Sequence, residues 1–288
     1  MLDRGVYPAS VTAFDSEGRI DLPGMARLLA HFEAEGCKGV VLAGTNGEGP
    51  SLSAVEKRDL VRAMMPVRGS LQIIAGIASN SLEEAVWLCN QAHKDGAAAG
   101  LVMAPSYFRE ATEEGICAWF EALFSRIQLP ILVYNFPQRT GITLTSEMIS
   151  RLAKHERFAG LKDSSGNAEN LATYRAATTT DHVLFVGNET LLLDALDQGW
   201  TGTISGAANV VARWLVQVMD EGSQTKFELI RPVLEAIRQA PQPATHKVIL
   251  RLLGIMSHSA LRLPLLDVPS EAVAQVQGAL QTLGVRPQ

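Results

Sequence analysis

The sequence predicts an α/β protein, and within that class a (β/α)8 barrel with a C-terminal helical extension. Three observations carry this. Eight short apolar runs recur along the first 205 residues. Each is apolar nearly throughout rather than alternating, as in strands buried on both faces of a parallel sheet. Amphipathic stretches of helical period separate them, and strand alternating with helix eight times closes into a barrel. The open, doubly wound alternative carries a G-x-G-x-x-G turn after its first strand, and the first loop here has none.

The apolar runs occupy 6–12, 39–43, 72–75, 100–104, 131–135, 159–162, 183–186 and 202–205. After the second run, Ser53-Ala-Val-Glu56 offers a helix N-cap with a carboxylate three residues on, and Leu60, Val61 and Met64 follow on one face. Ser81 and Glu84 repeat the device ahead of Val86, Leu88 and Cys89. Beyond Gly222 the strand-like runs stop. Helices are expected over 226–239, 245–256 and 270–283, punctuated by Pro241, Pro243, Pro264 and Pro269. The chain therefore reads as a catalytic barrel over 1–221 and a helical appendage over 222–288, which is too short to be an independent domain.

Composition narrows the function. The 288 residues are 47% hydrophobic and 19% charged, with a net charge of −5. The basic residues are scattered, so neither nucleic acid nor a membrane surface is an expected partner. Cys37, Cys89 and Cys117 are odd in number and widely spaced, which disfavours a disulfide framework or a thiolate zinc site and fits a reducing cytoplasm. The N-terminal MLDRGVYPAS has no apolar stretch of the kind a secretory signal needs, and no run reaches the roughly 20 apolar residues of a membrane span.

In a barrel of this kind the chemistry sits at the C-terminal ends of the strands. Those ends read Thr12, Gly44-Thr-Asn-Gly-Glu48, Ser106-Tyr107, Tyr134-Asn135, Lys162-Asp163, Gly187-Asn-Glu189 and Ser205-Gly206. No His or carboxylate cluster there has metal-site spacing. His31, His93, His155, His182, His246 and His258 fall on helices or their ends and are read as satisfied or solvated. No metal is expected, and a metal-dependent aldolase is disfavoured.

Lys162 follows Phe158-Ala-Gly-Leu161 without a break, so its stem starts inside the barrel wall. A desolvated lysine holds its proton less tightly, and the free amine can attack a ketone to give an iminium, an electron sink. On position alone the alternative is a lysine leaving the barrel for solvent. Tyr134 ends the preceding strand, where a phenol can shuttle protons for that chemistry. Tyr107 and Thr45, at two other strand ends, can extend a hydroxyl relay. Gly44-Thr-Asn-Gly47 can present N–H groups to a carboxylate.

Four motifs go further: Gly44-Thr-Asn-Gly-Glu48, Tyr134-Asn-Phe-Pro137, Arg139-Thr-Gly141 and Gly160-Leu-Lys-Asp163, with Leu261-Arg-Leu-Pro264 near the C-terminus. In order and spacing they resemble the dihydrodipicolinate synthase / N-acetylneuraminate lyase family of pyruvate-dependent aldolases, over essentially the whole chain. The resemblance implies a cofactor-free enzyme whose Lys162 forms a Schiff base with pyruvate and whose Tyr134 shuttles protons, with Thr45 and Tyr107 as relay partners. Tyr107 is implied to reach across a dimer interface within a homotetramer. Thr45 and Asn46 are implied to bind the pyruvate carboxylate, Gly187 and Ile204 to line its pocket, and Arg139 to hold the carboxylate of an aldehyde such as aspartate semialdehyde.

The second substrate stays open at this point. Synthases usually carry a second threonine where this chain has Asn46. Gly49-Pro-Ser-Leu52, Lys162-Asp-Ser-Ser-Gly166 and Ser205-Gly-Ala-Ala-Asn209 look more like aldolases that cleave 2-keto-3-deoxy-sugar acids or 4-hydroxy-2-oxoglutarate. Arg139 points back to the synthase. A remote alternative is a non-catalytic sensor of 2-oxo acids, which would need no proton relay. Of the family's lysine-inhibition positions, Asn80 and Glu84 match while Pro50, Ala54, Lys57 and Ser106 do not, so lysine inhibition is not expected.

Overall fold

A computed structural model describes residues 1–285. Eight strands form one parallel sheet: β1 (Gly5–Pro8), β2 (Gly39–Leu42), β3 (Gln72–Ile77), β4 (Ala99–Met103), β5 (Ile131–Asn135), β6 (Phe158–Asp163), β7 (Val183–Val186) and β8 (Gly202–Ser205). Their order is β1-β8-β7-β6-β5-β4-β3-β2. The ring closes where Ala9 bridges Val41 and the Lys38 N–H donates to the Val6 carbonyl at 3.1 Å. Helices α1 (Leu22–Ala34), α2 (Ala54–Met64), α3 (Leu82–Asp95), α4 (Glu113–Phe124), α5 (Pro137–Thr140), α6 (Ser146–Leu152), α7 (Glu169–Ala176), α8 (Leu192–Asp197) and α9 (Ala208–Glu221) return the chain between strands. The fold is a (β/α)8 barrel, followed by α10 (Gln224–Gln239), α11 (Ala244–Leu252) and α12 (Ser270–Gln281).

The unbroken apolar runs have a direct explanation. Tyr7, Val41, Ile74, Leu101, Leu132 and Phe185 pack inside the barrel, while their neighbours Val6, Val40, Ile73, Val102, Val133 and Leu184 pack outward under the helices. Both faces of every strand are dry, and each such side chain contributes roughly 1.5–3 kcal/mol by leaving water. Phe227, Leu234, Ile249, Leu250 and Val276 from α10–α12 join the outer cluster without a break.

One irregularity matters for the site. Ile131 pairs with Phe158, but the next residue, Leu132, pairs with Gly160. Ala159 and Gly160 thus oppose a single residue, a β-bulge. Phe158 and Leu161 both face outward although they lie three positions apart, and the bulge is what reverses the parity. Gly160 sits at φ +154°, where a Cβ would lie 1.8 Å from the Val183 carbonyl oxygen, so only glycine fits.

The cap at Ser53 is a full capping box with Glu56, whereas Ser81 accepts from the Glu84 N–H without a return bond. Some boundaries differ from the sequence expectation. The first strand stops at Pro8 because Val11 N–H turns to Asn209 Oδ1 (3.0 Å) and the Thr12 hydroxyl to the Gly47 carbonyl (2.6 Å). Helix α10 starts two residues earlier than expected, at Gln224, with Ser223 as its cap. Helix α11 ends at Leu252, short of 256, and Gly254 then takes φ +72°. Helix α12 ends at Gln281 rather than 283. No helix among the described residues is long and apolar enough to cross a membrane.

Candidate active site

A cavity of about 600 Å3 opens over the C-terminal ends of the strands. Ala9, Val41 and Leu101 form its apolar floor, and residues 44–46, 164–166 and 187–189 its walls. Lys162 enters from β6 and Tyr134 from β5. The two are direct register partners, so the bulge places both side chains on the inner face. Lys162 is 5% exposed and its Nζ lies 4.4 Å from the centre of the Tyr134 ring. It has no hydrogen-bond acceptor or carboxylate partner among the described residues. Tyr134, also 5% exposed, is stacked on Phe136 with ring centres 5.6 Å apart and accepts from the Ser164 hydroxyl at 3.2 Å.

The outward-facing strand ends hold these residues in place. Asn135 donates to Asp163 Oδ1 at 2.7 Å and accepts from the Leu144 N–H at 3.0 Å. Asp163 in turn accepts from the Ser165 N–H and hydroxyl, at 3.1 and 2.7 Å. The Asp163-Ser-Ser-Gly166 turn is therefore fixed by carboxylate-to-backbone bonds, which leave its second residue, Ser164, facing the cavity.

Across the cavity, the 44–48 loop is bounded by two non-glycine residues with left-handed backbones, Ala43 at φ +55° and Glu48 at φ +53°. Such residues cost about 1–3 kcal/mol each and persist only where the surroundings hold them. Here the hold is a buried polar cluster. Glu48 forms an ion pair with Lys247, both side chains fully buried, and its second oxygen accepts the Arg262 N–H at 2.8 Å. Lys247 also donates to the Ala260 carbonyl at 2.8 Å and lies 4.1 Å from the Phe14 ring centre. Burial lowers the Lys247 pKa, against the pull of Glu48. Arg262 reaches Glu56 with bonds of 3.0 and 2.6 Å and holds that carboxyl down at about 2. The N–H groups of Thr45 and Asn46 have no acceptor among the described residues, as an anion-binding concavity requires.

Not every residue expected from the sequence lands in the cavity. Lys162, Tyr134, Thr45, Asn46, Arg139 and Gly187 line it. Ile204 is not among the lining residues: it is fully buried in the barrel interior, paired with Tyr7. Tyr107 does not line the cavity of its own chain either. It is 77% exposed, edge-on to Phe108, and only its backbone N–H is bonded, to Asn80 Oδ1. The Thr45 hydroxyl makes no bond to Tyr134. Arg139 lines the cavity with no carboxylate partner among the described residues.

Among the lining residues to which the sequence assigned no specific role are Ser164, Arg238 and Glu189. Ser164 was hidden because hydroxyls in turns are common. Arg238 arrives from the end of α10, tethered to Asn188 Oδ1 at 2.6 Å, and nothing local marks it. Glu189 is buried and committed to the Ser205 hydroxyl and the Ala207 N–H. One expectation is corrected outright. His246 is neither satisfied nor solvated: it is completely buried, and neither ring nitrogen has a partner. Burial alone pushes its pKa down to about 4, so the ring is neutral and packs as an apolar group. No group of three or more His, Cys, Asp or Glu among the described residues could hold a metal ion.

Comparison with known proteins agrees with this geometry over the whole chain. A 4-hydroxy-tetrahydrodipicolinate synthase from Archaeoglobus fulgidus is 34% identical over 286 residues, covering 97% of this chain and 98% of that protein. The crystal structure of a dihydrodipicolinate synthase from Cyanidioschyzon merolae with lysine bound superposes with a TM-score of 0.92 at 31% identity, over 98% of each chain. The enzyme of that name from Thermotoga maritima gives 0.92 at 29% identity over 99% of each. The model of the dihydrodipicolinate synthetase family matches residues 3–283. With an inward lysine and tyrosine paired at the mouth of an eight-stranded barrel, the chain belongs to the dihydrodipicolinate synthetase family.

Proposed function

We propose that the protein is a class I lyase that binds pyruvate as a Schiff base on Lys162 and condenses it with aspartate semialdehyde, as a 4-hydroxy-tetrahydrodipicolinate synthase does. The pyruvate carboxylate docks on the N–H groups of Thr45 and Asn46, which sets its carbonyl carbon against Lys162 Nζ. The amine attacks, and the Tyr134 hydroxyl carries the proton that lets the carbinolamine oxygen leave as water. The iminium then accepts the electrons released when a methyl proton is lost. The resulting enamine carbon attacks the aldehyde. No metal or organic cofactor enters this chemistry, because the lysine supplies the electron sink.

The observation that carries the choice of acceptor is Arg139, a guanidinium lining the cavity with no carboxylate of its own. A planar fork left unpaired over a reactive amine suits a carboxylate on the incoming aldehyde. Arg238 adds positive charge to the same cavity, and the one carboxylate lining it among the described residues, Glu189, is already committed. Asn46 and Ser164 favour a second reading, cleavage of a hydroxylated 2-oxo acid to pyruvate and an aldehyde, because both offer polar contacts to substrate hydroxyls. Borohydride reduction with pyruvate, followed by peptide mapping, tests the shared step; an adduct absent from Lys162 overturns both readings. Rapid condensation with aspartate semialdehyde, against slow cleavage of 2-keto-3-deoxy acids, supports the synthase.

The proposal extends to assembly and setting. Tyr107, exposed and outside its own cavity, is read as acting on a neighbouring copy in a homo-oligomer, a dimer or tetramer. The helices after Gly222 act as an appendage to the barrel, since α10 and the turn after it bring Arg238 and Gln242 to the cavity. Three buried, unpaired thiols fit the reducing cytoplasm. Lysine inhibition is not proposed, because Asn80 is taken up by the N–H groups of Ser106 and Tyr107 and Lys57 is buried.

A further inference from the structure

We infer that Ser164 is a positioning residue for the pyruvate chemistry: it orients the Tyr134 hydroxyl toward Lys162 and stabilises the phenolate oxygen when Tyr134 gives up its proton. This rests on the Schiff-base reading of Lys162, and it assigns that role to a residue two positions after the lysine. The Ser164 hydroxyl is the one protein group bonded to the Tyr134 oxygen among the described residues, at 3.2 Å. Thr45 and Tyr107, the other hydroxyls near strand ends, make no such bond.

The backbone is arranged to hold this contact. Ser164 N–H donates to the Asn135 carbonyl at 2.9 Å, and Ser165 is locked onto Asp163 on the outer face, so residue 164 has to point inward. Gly187 at the end of β7 leaves room for it. A Cβ there would fall 2.0 Å from Ser164 Oγ and 3.0 Å from Lys162 Cε. The serine hydroxyl, the lysine stem and the bare glycine therefore share one small volume beside the amine.

The chemistry follows from the direction of the bond. With Ser164 donating to the Tyr134 oxygen, the phenolic hydrogen is free to point at the substrate. When the carbinolamine C–O bond breaks, its electron pair leaves on oxygen, Tyr134 supplies the proton that makes it water, and the nitrogen lone pair forms the C=N bond. The hydrogen bond from Ser164 steadies the phenolate this leaves on Tyr134, which regains its proton from the pyruvate methyl group as the iminium becomes the enamine.

The test reads pyruvate alone, without any aldehyde. Enzyme-catalysed exchange of the pyruvate methyl protons in D2O, followed by NMR, reports imine and enamine formation. Ser164→Ala is expected to slow kcat for exchange by on the order of tenfold with KM for pyruvate little changed, and Ser164→Thr to restore most of the rate. Exchange by Ser164→Ala at the wild-type rate, or a loss confined to KM, overturns the inference. If the alanine variant does not fold, Ser164→Cys against Ser164→Thr decides: equal rates overturn the inference, because a thiol is a poor donor to oxygen. Failure of the underlying reading is distinct, since the wild-type enzyme would then show no exchange and no borohydride adduct on Lys162.

Discussion

Two buried lysines stand on opposite sides of the 44–48 loop, and they have been given opposite environments. Lys247, on α11, is wrapped: a carboxylate, a carbonyl and an aromatic face account for its charge. Lys162, on β6, is almost as dry but has no hydrogen-bond acceptor among the described residues, with the Tyr134 ring face beside it and an open cavity above. An amine wrapped by acceptors is scaffolding, while one that faces an open cavity without an acceptor is free to meet a substrate carbonyl. Burial alone does not separate the two; the partners do.

The sharpest way to break this contrast is Lys162→Ala, for which turnover should fall by on the order of 10⁴-fold or more with unfolding midpoints near wild type. Lys247→Met should do the reverse. Removing one member of a buried pair strands Glu48 and costs roughly 3–5 kcal/mol in urea unfolding, and adding Glu48→Leu should recover part of that loss. If Lys247→Met is neutral, the cluster is not what holds the loop.

His246 sharpens the comparison through pH. Its folded pKa is depressed from 6.5 to about 4, so the unfolded chain takes up the proton first. Its contribution is fully present above about pH 6.5 and is lost as pH falls toward 4, roughly 3 kcal/mol in all. His246→Leu should flatten stability over that window in pH-dependent thermal unfolding; an unchanged slope would assign the loss to other groups. The smallest effect is expected at Arg139. Arg139→Ala should lower kcat/KM for a carboxylated aldehyde by about 10- to 100-fold, while borohydride trapping of pyruvate stays at the wild-type rate.

The sequence made the barrel legible because eight strands are dry on both faces, and apolar content reports burial directly. Lys162 and Tyr134 were legible from the strand ends together with the family motifs, since position alone left Lys162 open to the reading of a lysine leaving the barrel for solvent. Arg238 was not, since its place depends on how α10 crosses the mouth, a contact fifty residues away in sequence from Asn188. Ile204 faces the barrel interior but exposes no surface to the cavity, a distinction that strand position alone does not carry. Tyr107 shows a different limit, because a side chain that leaves its own barrel can be given a role only by a second chain. The unpartnered ring of His246 carries no sequence signal, as a histidine on a helix usually finds water or an acceptor.

The bulge at Ala159 and Gly160 acts as a ruler for chain length. Side chains alternate along a strand, so the residue count between Phe158 and Lys162 decides whether the amine looks into the cavity or out at α6 and α7. A single-residue deletion at the bulge would restore plain alternation with the lysine still facing inward, whereas a single-residue insertion would turn it to the wrong side of the wall. A side chain at Gly160 that forbids the bulge at fixed length would act like the insertion, so a graft of the site onto another barrel has to match residue count and bulge together.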